Sequence, residues 1–325
     1  MLDDLREDER VEIAAWLKEV SVAKGSFLYR EGDPATEAGF LLDGELEVMR
    51  ALPGGGETRL TTIAPGEMIG EMALVAGGTR SANVRALKPS SVLIVSRYFF
   101  DAALHQMSAP AFRILRALTR RLAERSDRLR LQILQELGCD VQAPPGAESF
   151  DDDNRRNDAA GGAASFDYRA FLPIIPGFEV FTSAEIDRFL RRTSVIERAC
   201  DEILYREQSP AAACFILIRG ALEVSVTRDR RYQLAILGPG RFAGAHSLIS
   251  QSVRTDNMRF RSDALLLALD HATFADLYSG ETVLSMKFQR MVTSSLLQDL
   301  RVADNLLTTL VSKSHIRERT TLPAN

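Results

Sequence analysis

Residues 24–48 read KGSFLYREGDPATEAGFLLDGELEV, and residues 200–224 read CDEILYREQSPAAACFILIRGALEV. The two stretches register without a gap at an offset of 176. Tyr29-Arg30-Glu31 falls on Tyr205-Arg206-Glu207, Pro34 on Pro210, Gly44 on Gly220, and Leu46-Glu47-Val48 on Leu222-Glu223-Val224. A hairpin follows, Gly-rich in the first copy (Pro53-Gly54-Gly55-Gly56) and shorter in the second (Asp229-Arg230-Arg231), and the offset drops to 174. Pro65 then falls on Pro239, Gly66 on Gly240, Gly70 on Gly244, Leu74 on Leu248 and Arg80 on Arg254. Solenoid repeats run to roughly 20–50 residues, so this much longer period marks a duplicated domain.

Both copies share one plan. A short helix comes first, then β segments of about 4–8 residues separated by turn residues. In the first copy these are Ser26–Tyr29, Ala38–Leu42, Glu45–Arg50, Arg59–Ile63, Ser81–Ala86 and Ser91–Val95. Regular short strands broken by Gly and Pro predict an antiparallel sandwich or jelly roll. A long helix closes each copy. The first runs near Pro110–Leu137, with Leu115, Leu118, Leu122, Leu129 and Ile133 on one stripe. The second runs near Thr282–Val311, with Leu284, Phe288, Met291, Leu296, Leu300, Ala303, Leu307 and Leu310 similarly placed. The expected fold class is mainly β with flanking helices: two tandem β jelly-roll domains, each followed by a long α-helix. Residues 138–168 hold a Pro-Pro pair, an Asp triplet, a Gly-Gly pair and almost no large apolar residue, which reads as a flexible linker. The expected domains are therefore 1–137 and 169–325, joined by 138–168.

Composition narrows the class. With 46% apolar and 26% charged residues, the chain is of the soluble globular kind. Its formal net charge of -4 supplies no global basic field for nucleic acid. Cys139, Cys200 and Cys214 lack C-x-x-C spacing and cannot all pair, which points to a reducing compartment. The opening MLDDLREDERVEIAAW lacks the basic start and apolar run of a signal peptide. No stretch approaches about 18 uninterrupted apolar residues, so a cytoplasmic protein with no membrane partner is expected. His105, His246, His271 and His315 are scattered, and no metal constellation emerges. H-E-x-x-H, P-loop and G-x-S-x-G motifs are absent, so a non-enzymatic binding role is expected.

The chemistry sits between two strands of the first copy, in Ile69-Gly70-Glu71-Met72-Ala73-Leu74 and, after a short gap, Arg80-Ser81-Ala82-Asn83-Val84-Arg85-Ala86. Gly70 and Ala73 are small enough for backbone to approach a ligand closely. A helical turn at 70–74 would aim free N–H groups at an anion. Arg80 offers a planar fork of donors matched to two phosphate oxygens. Glu71 offers an acceptor to a ribose 2′-hydroxyl. Together they suit a cyclic phosphodiester, the carboxylate facing the sugar and the arginine the phosphate. The order Gly-Glu-x-Ala-Leu, gap, Arg-Ser-Ala resembles the phosphate-binding cassette of the cyclic nucleotide-binding domain family. The glycines at 25, 32, 44 and 66 also sit where that family places turn glycines. The resemblance implies that Glu71 binds the ribose 2′-hydroxyl and Arg80 the cyclic phosphate. It implies that the backbone of Gly70, Met72 and Ala73, with Ser81 and Ala82, completes the cradle. It further implies that the long helix lids the base, with contacts expected at Arg125 and Ser126. The implied ligand is cAMP, possibly cGMP, since Asn83 is able to present either hydrogen-bonding pattern; no other cofactor is implied.

The second cassette departs from this pattern. It reads Phe242-Ala243-Gly244-Ala245-His246-Ser247-Leu248, then Arg254-Thr255-Asp256. Gly244, Ala245, Arg254 and Thr255 hold the matching positions of a degenerate second site. Ala245 cannot accept a hydrogen bond, and Asp256 brings negative charge towards the phosphate position. Losing a charged partner in a buried site costs about 2–5 kcal/mol, which is roughly 30- to several-thousand-fold in affinity. Weak or no nucleotide binding is expected there; recognition of another ligand by His246 and Asp256 is the alternative. Activator-type members of the family read DNA with a helix-turn-helix after the long helix. Here the first long helix runs into the linker and the second leaves only Ser312–Asn325, so DNA is disfavoured as a partner. Apolar stripes on both long helices suit a homodimer seam. The function expected is that of a cyclic-nucleotide receptor whose ligand rearranges a helix read by a protein partner. A scaffold with both cassettes inert is the competing reading.

Overall fold

The computed structural model describes residues 6–51, 56–75, 77–139 and 168–321. The expected linker lies almost wholly outside the described residues, as do Pro53, Gly54 and Gly55 of the first hairpin.

In the first domain, α1 (Glu7–Ala14) precedes β1 (Leu17–Val22), β2 (Phe27–Tyr29), β3 (Glu37–Asp43), β4 (Leu46–Ala51), β5 (Glu57–Ile63) and β6 (Met68–Ile69). A single helical turn, α2 (Met72–Val75), leads to β7 (Asn83–Ala86) and β8 (Ser90–Ser96). The strands form two antiparallel sheets ordered β1-β8-β3-β6 and β2-β7-β4-β5. Helix α3 (Arg97–His105) follows, capped by the Ser96 side chain, which accepts from the Tyr98 N–H. Helix α4 (Ala109–Glu136) completes this part of the chain.

The second domain opens with a 3-10 turn (Arg169–Ile174) and α5 (Ser183–Leu190). Its strands are β9 (Ser194–Arg198), β10 (Ile203–Tyr205), β11 (Ala213–Arg219), β12 (Leu222–Thr227), β13 (Arg231–Leu237), β14 (Phe242–Ala243), β15 (Asn257–Phe260) and β16 (Ala264–Asp270). They repeat the first topology strand for strand, as β9-β16-β11-β14 and β10-β15-β12-β13. Helix α6 (Ala245–Ile249) occupies the place of α2, and α7 (His271–Ser279) and α8 (Val283–Thr321) close the domain. Two tandem β-sandwich domains with flanking helices are thus present, as the sequence repeat predicts. Two short elements escape the strand pattern: β1, where only a helix is anticipated, and the two-residue β6. Helix α8 runs ten residues past its anticipated end, through Thr321.

The cores repeat with the sequence. Leu41, Leu46, Val84, Ala86 and Val92 are buried in the first sandwich. Leu217, Leu222, Met258, Phe260 and Leu266 take the same positions in the second. Gly44 and Gly220 hold the corner before β4 and β12 with φ of 98° and 97°. A Cβ at Gly44 would stand 2.6 Å from the Pro89 carbonyl oxygen, and one at Gly220 2.7 Å from that of Asp263. Backbone passes too close for any side chain, which explains why this glycine survives in both copies.

The chain divides into two compact units, residues 1–118 with 312–325, and residues 119–311. The division falls inside α4, not at residue 137. All five stripe residues expected on α4 are buried. In the second unit, Leu134 packs with Cys139, Val226 and Tyr232. The Thr119 hydroxyl lies 2.8 Å from that of Thr293 on α8. The distal half of α4 thus spends its apolar face on the second sandwich. The same burial withdraws Leu122, Leu129 and Ile133 from the homodimer seam anticipated on this helix. Among the described residues, no helix is long and apolar enough to cross a membrane.

Candidate functional site

In the first domain the cassette is built around one buried arginine. Strand β6 ends at Ile69, and Gly70 turns the chain with φ 68°. A Cβ at Gly70 would stand 2.5 Å from Arg80 Nη1 and 3.1 Å from the Tyr29 ring, so glycine is what lets the guanidinium lie beneath the turn. The backbone of Arg80 is fixed on the opposite side. Its N–H donates to the Asp33 carbonyl at 2.8 Å, and its carbonyl accepts from the Gly32 N–H at 2.9 Å. The Arg80 guanidinium carbon sits 3.4 Å from the centroid of the Tyr29 ring, a cation–π stack. Burial pushes the Tyr29 phenol well above its ordinary range, against the pull of the Arg80 charge, so the ring stays neutral. Arg80 is itself buried, and its Nη1 has no hydrogen-bond partner among the described residues. A buried guanidinium nitrogen without an acceptor costs about 1–3 kcal/mol or more. An anionic oxygen at this point removes that cost.

The other candidate residues surround this centre unequally. Glu71 and Met72 are half-buried at the start of the turn, and Ala73 is buried. The Ala73 N–H donates to the Gly70 carbonyl at 3.0 Å, so it closes the turn and is not presented as a free donor. Ser81 is exposed and Ala82 buried. Asn83 is committed elsewhere. Its Oδ1 accepts from the Glu31 N–H at 2.9 Å and its Nδ2 donates to Glu57 at 2.7 Å. In the second domain Asn257 Oδ1 accepts from the Glu207 N–H at the same 2.9 Å. This asparagine pins neighbouring strands in both copies, so the base-reading role expected of Asn83 gives way to a structural one. Arg125 and Ser126, expected over the base of the first site, lie in the second unit. There Arg125 is 3.3 Å from Asp304, and Ser126 lines the second domain's cavity.

That second cavity encloses about 800 Å³, including its open mouth. Its wall is the apolar inner face of β12, β13 and β15, with α6 and the helices α4 and α8. Gly244 again has a positive φ, 79°, and a Cβ there would collide with the Arg254 guanidinium. Arg254 stacks 4.3 Å from the Tyr205 ring centroid. Unlike Arg80, it is satisfied on both terminal nitrogens: Nη1 donates to the Gly244 carbonyl at 2.8 Å, and Nη2 donates to that of Ala213. Ala245 is buried and offers no acceptor. Thr255 and Asp256 face Arg130 of α4, whose Nη2 donates to Asp256 Oδ2 at 2.9 Å. Burial pushes the nearby Asp299 carboxyl up to about 6, against the attraction of Arg241. Tyr29, Tyr205 and Arg130 are the side chains in contact with the two cassettes that motif reading passes over. The two tyrosines carry a signal in the sequence, since both stand in the duplicated Tyr-Arg-Glu. Arg130 carries none, being one of many arginines on its helix.

The cyclic nucleotide-binding domain model matches residues 19–107 and 196–281, more than half of the chain. The Cyclic AMP receptor protein of Thermus thermophilus is 29% identical over 113 residues, 35% of this chain and 52% of that protein. The chain thus spans about half the length of that curated relative. The Acetyltransferase Pat of Mycolicibacterium smegmatis is 33% identical over 111 residues, 34% of this chain and 33% of that protein. Among solved structures, the regulatory domain of Toxoplasma gondii PKA with cAMP aligns over 86% of this chain and 87% of that one, at 16% identity and a TM-score of 0.31. With the family model spread over both sandwiches and a stacked arginine at the cassette of each, the chain belongs to the cyclic nucleotide-binding domain family.

Proposed function

We propose that this protein is a non-enzymatic cyclic-nucleotide receptor, that its first domain takes cAMP, and that a protein partner reads the outcome. The observation that carries the reading is Arg80: buried, stacked on Tyr29, with Nη1 lacking an acceptor beside the Glu71 turn. A cyclic phosphate supplies that acceptor as a charge-assisted hydrogen bond. Glu71, placed at the start of the same turn, accepts from the ribose 2′-hydroxyl, which keeps the carboxylate on the sugar side and away from the phosphate. Membership of the family supports the ligand class. The name of the Thermus thermophilus relative supports cAMP as a ligand to test first. Arg125 and Ser126 have no part in this reading, because both are committed within the second unit.

Ligand acts by ordering the α2 turn and, through it, α4. It shifts that helix only by the difference in its affinity for the two arrangements. Titration calorimetry of the wild type and of Arg80→Leu with cAMP and cGMP tests the site. The wild type is expected to bind, and the variant to lose roughly 30-fold or more. Equal affinity in both proteins would remove Arg80 from the site, and no heat from the wild type would favour a ligand-free scaffold.

A further inference from the structure

The second cassette has lost its acid and gained another. At the positions that register with Ser81 and Ala82 stand Thr255 and Asp256, and the space they face is filled from the chain itself. Arg130 Nη1 donates to the Thr255 carbonyl at 3.0 Å and also to the Thr255 hydroxyl. Its Nη2 reaches Asp256 Oδ2 at 2.9 Å. Asp256 is 7% exposed, and its Oδ1 is buried with no partner among the described residues. Arg254, the remaining anion-binding residue, has both terminal nitrogens on backbone carbonyls. Asp256 thus sets a buried carboxylate beside Arg254 at the old phosphate position, against the apolar wall of Val224, Leu237 and Met258. In such surroundings a carboxylate repels a phosphate and holds a cation strongly.

We propose that the second cassette is a guanidinium-binding site, formed by the acid it has gained at Asp256, and that its ligand is Arg130 of the chain's own helix α4. A second set of contacts supports the assignment. His246 lies on α6, beside Ala245 of the cassette, and its Nε2 is 3.0 Å from the Ala123 carbonyl and 3.2 Å from Asp127 Oδ1. Ala123, Asp127, Arg130 and Leu134 follow at helical spacing, so one face of α4 carries every contact. The second domain thus responds to whether α4 is docked, with Arg130 taking the position at Thr255 and Asp256. Loss of the first long helix from this site is a signal that the second domain can pass on without a ligand of its own.

Hydrogen exchange of the amides of residues 119–137 in the full-length chain tests the claim, with Arg130→Ala, Asp256→Ala and the double variant. Each single change is expected to speed exchange by about tenfold or more, and the double change by no more than the larger single one. Wild-type rates in the single variants, or effects that multiply in the double variant, would overturn it. Arg130→Lys keeps the charge but not the fork, and an intermediate rate is expected; a wild-type rate would show that any cation suffices and would overturn the guanidinium assignment. Methylguanidinium chloride at millimolar concentration provides a second reading. It should raise the unfolding temperature of Arg130→Ala and leave Arg130→Ala/Asp256→Ala unmoved. Equal response of the two variants sinks the proposal, as does cAMP binding at the second pocket in an Arg80→Leu background.

Discussion

Arg80 and Arg254 occupy one position in two copies of a domain, and their hydrogen bonds separate their roles. Among the described residues, Arg80 keeps its terminal Nη1 without an acceptor, whereas Arg254 has used both terminal nitrogens on carbonyls and leaves only Nε unpartnered. Gly70 is the residue that keeps Arg80 in place. In Gly70→Ala the left-handed backbone costs about 1–2 kcal/mol, and the new methyl displaces the guanidinium. A fall in unfolding temperature together with a loss of at least roughly tenfold in cAMP affinity is expected; unchanged affinity would show that the guanidinium is free to move. Asp299 gives a pH signature of its own. Burial holds its carboxyl up at about 6 in the folded chain, above the unfolded value. The folded state therefore binds this proton more tightly. The group's stabilisation is present below about pH 4 and is lost as pH rises to about 6. Between about pH 4 and 7 the wild type should lose up to about 3 kcal/mol relative to Asp299→Asn in urea unfolding. A difference independent of pH would contradict this.

Helix α4 is the element with two allegiances in sequence and one observed use for its distal half. Amphipathic spacing alone does not say which surface covers a stripe, and several partners satisfy the same pattern. Here Leu134 is 1% exposed, packed with Val226 and Tyr232 of the second sandwich. Leu134→Ala is expected to cost about 2–5 kcal/mol through the cavity it opens. Calorimetric melting should lower the transition of the second unit, and a loss of under about 0.5 kcal/mol would mean that the helix is only loosely seated. The strand pin formed by Asn83 and Asn257 belongs to the same scale. Asn257→Ala leaves the Glu207 N–H without its acceptor, and a loss of about 1–2 kcal/mol in urea unfolding follows.

At the scale of the whole molecule, duplication has produced two sandwiches of one topology whose cassettes share a stacked arginine and differ in their acids, Glu71 in the first and Asp256 in the second. Binding stoichiometry is the corresponding measurement. One cyclic nucleotide per chain is expected at saturation in the calorimeter, and two would restore the second cassette as a nucleotide site. The fold was readable before any coordinates, because a repeat held across Tyr29-Arg30-Glu31, Gly44 and Leu46 repeats the core and its corners. The first cassette was readable too, since Gly70, Glu71 and Arg80 are local in the chain and their chemistry follows from their types. Folding in three dimensions was needed to place Tyr29 beneath Arg80, to commit Asn83 to Glu31 and Glu57, and to bring Arg130 to Asp256. Those pairings join residues from 26 to 126 positions apart in the chain. Local pattern carries no information on them, because the partner of a buried charge is set by which surfaces the apolar residues bring together.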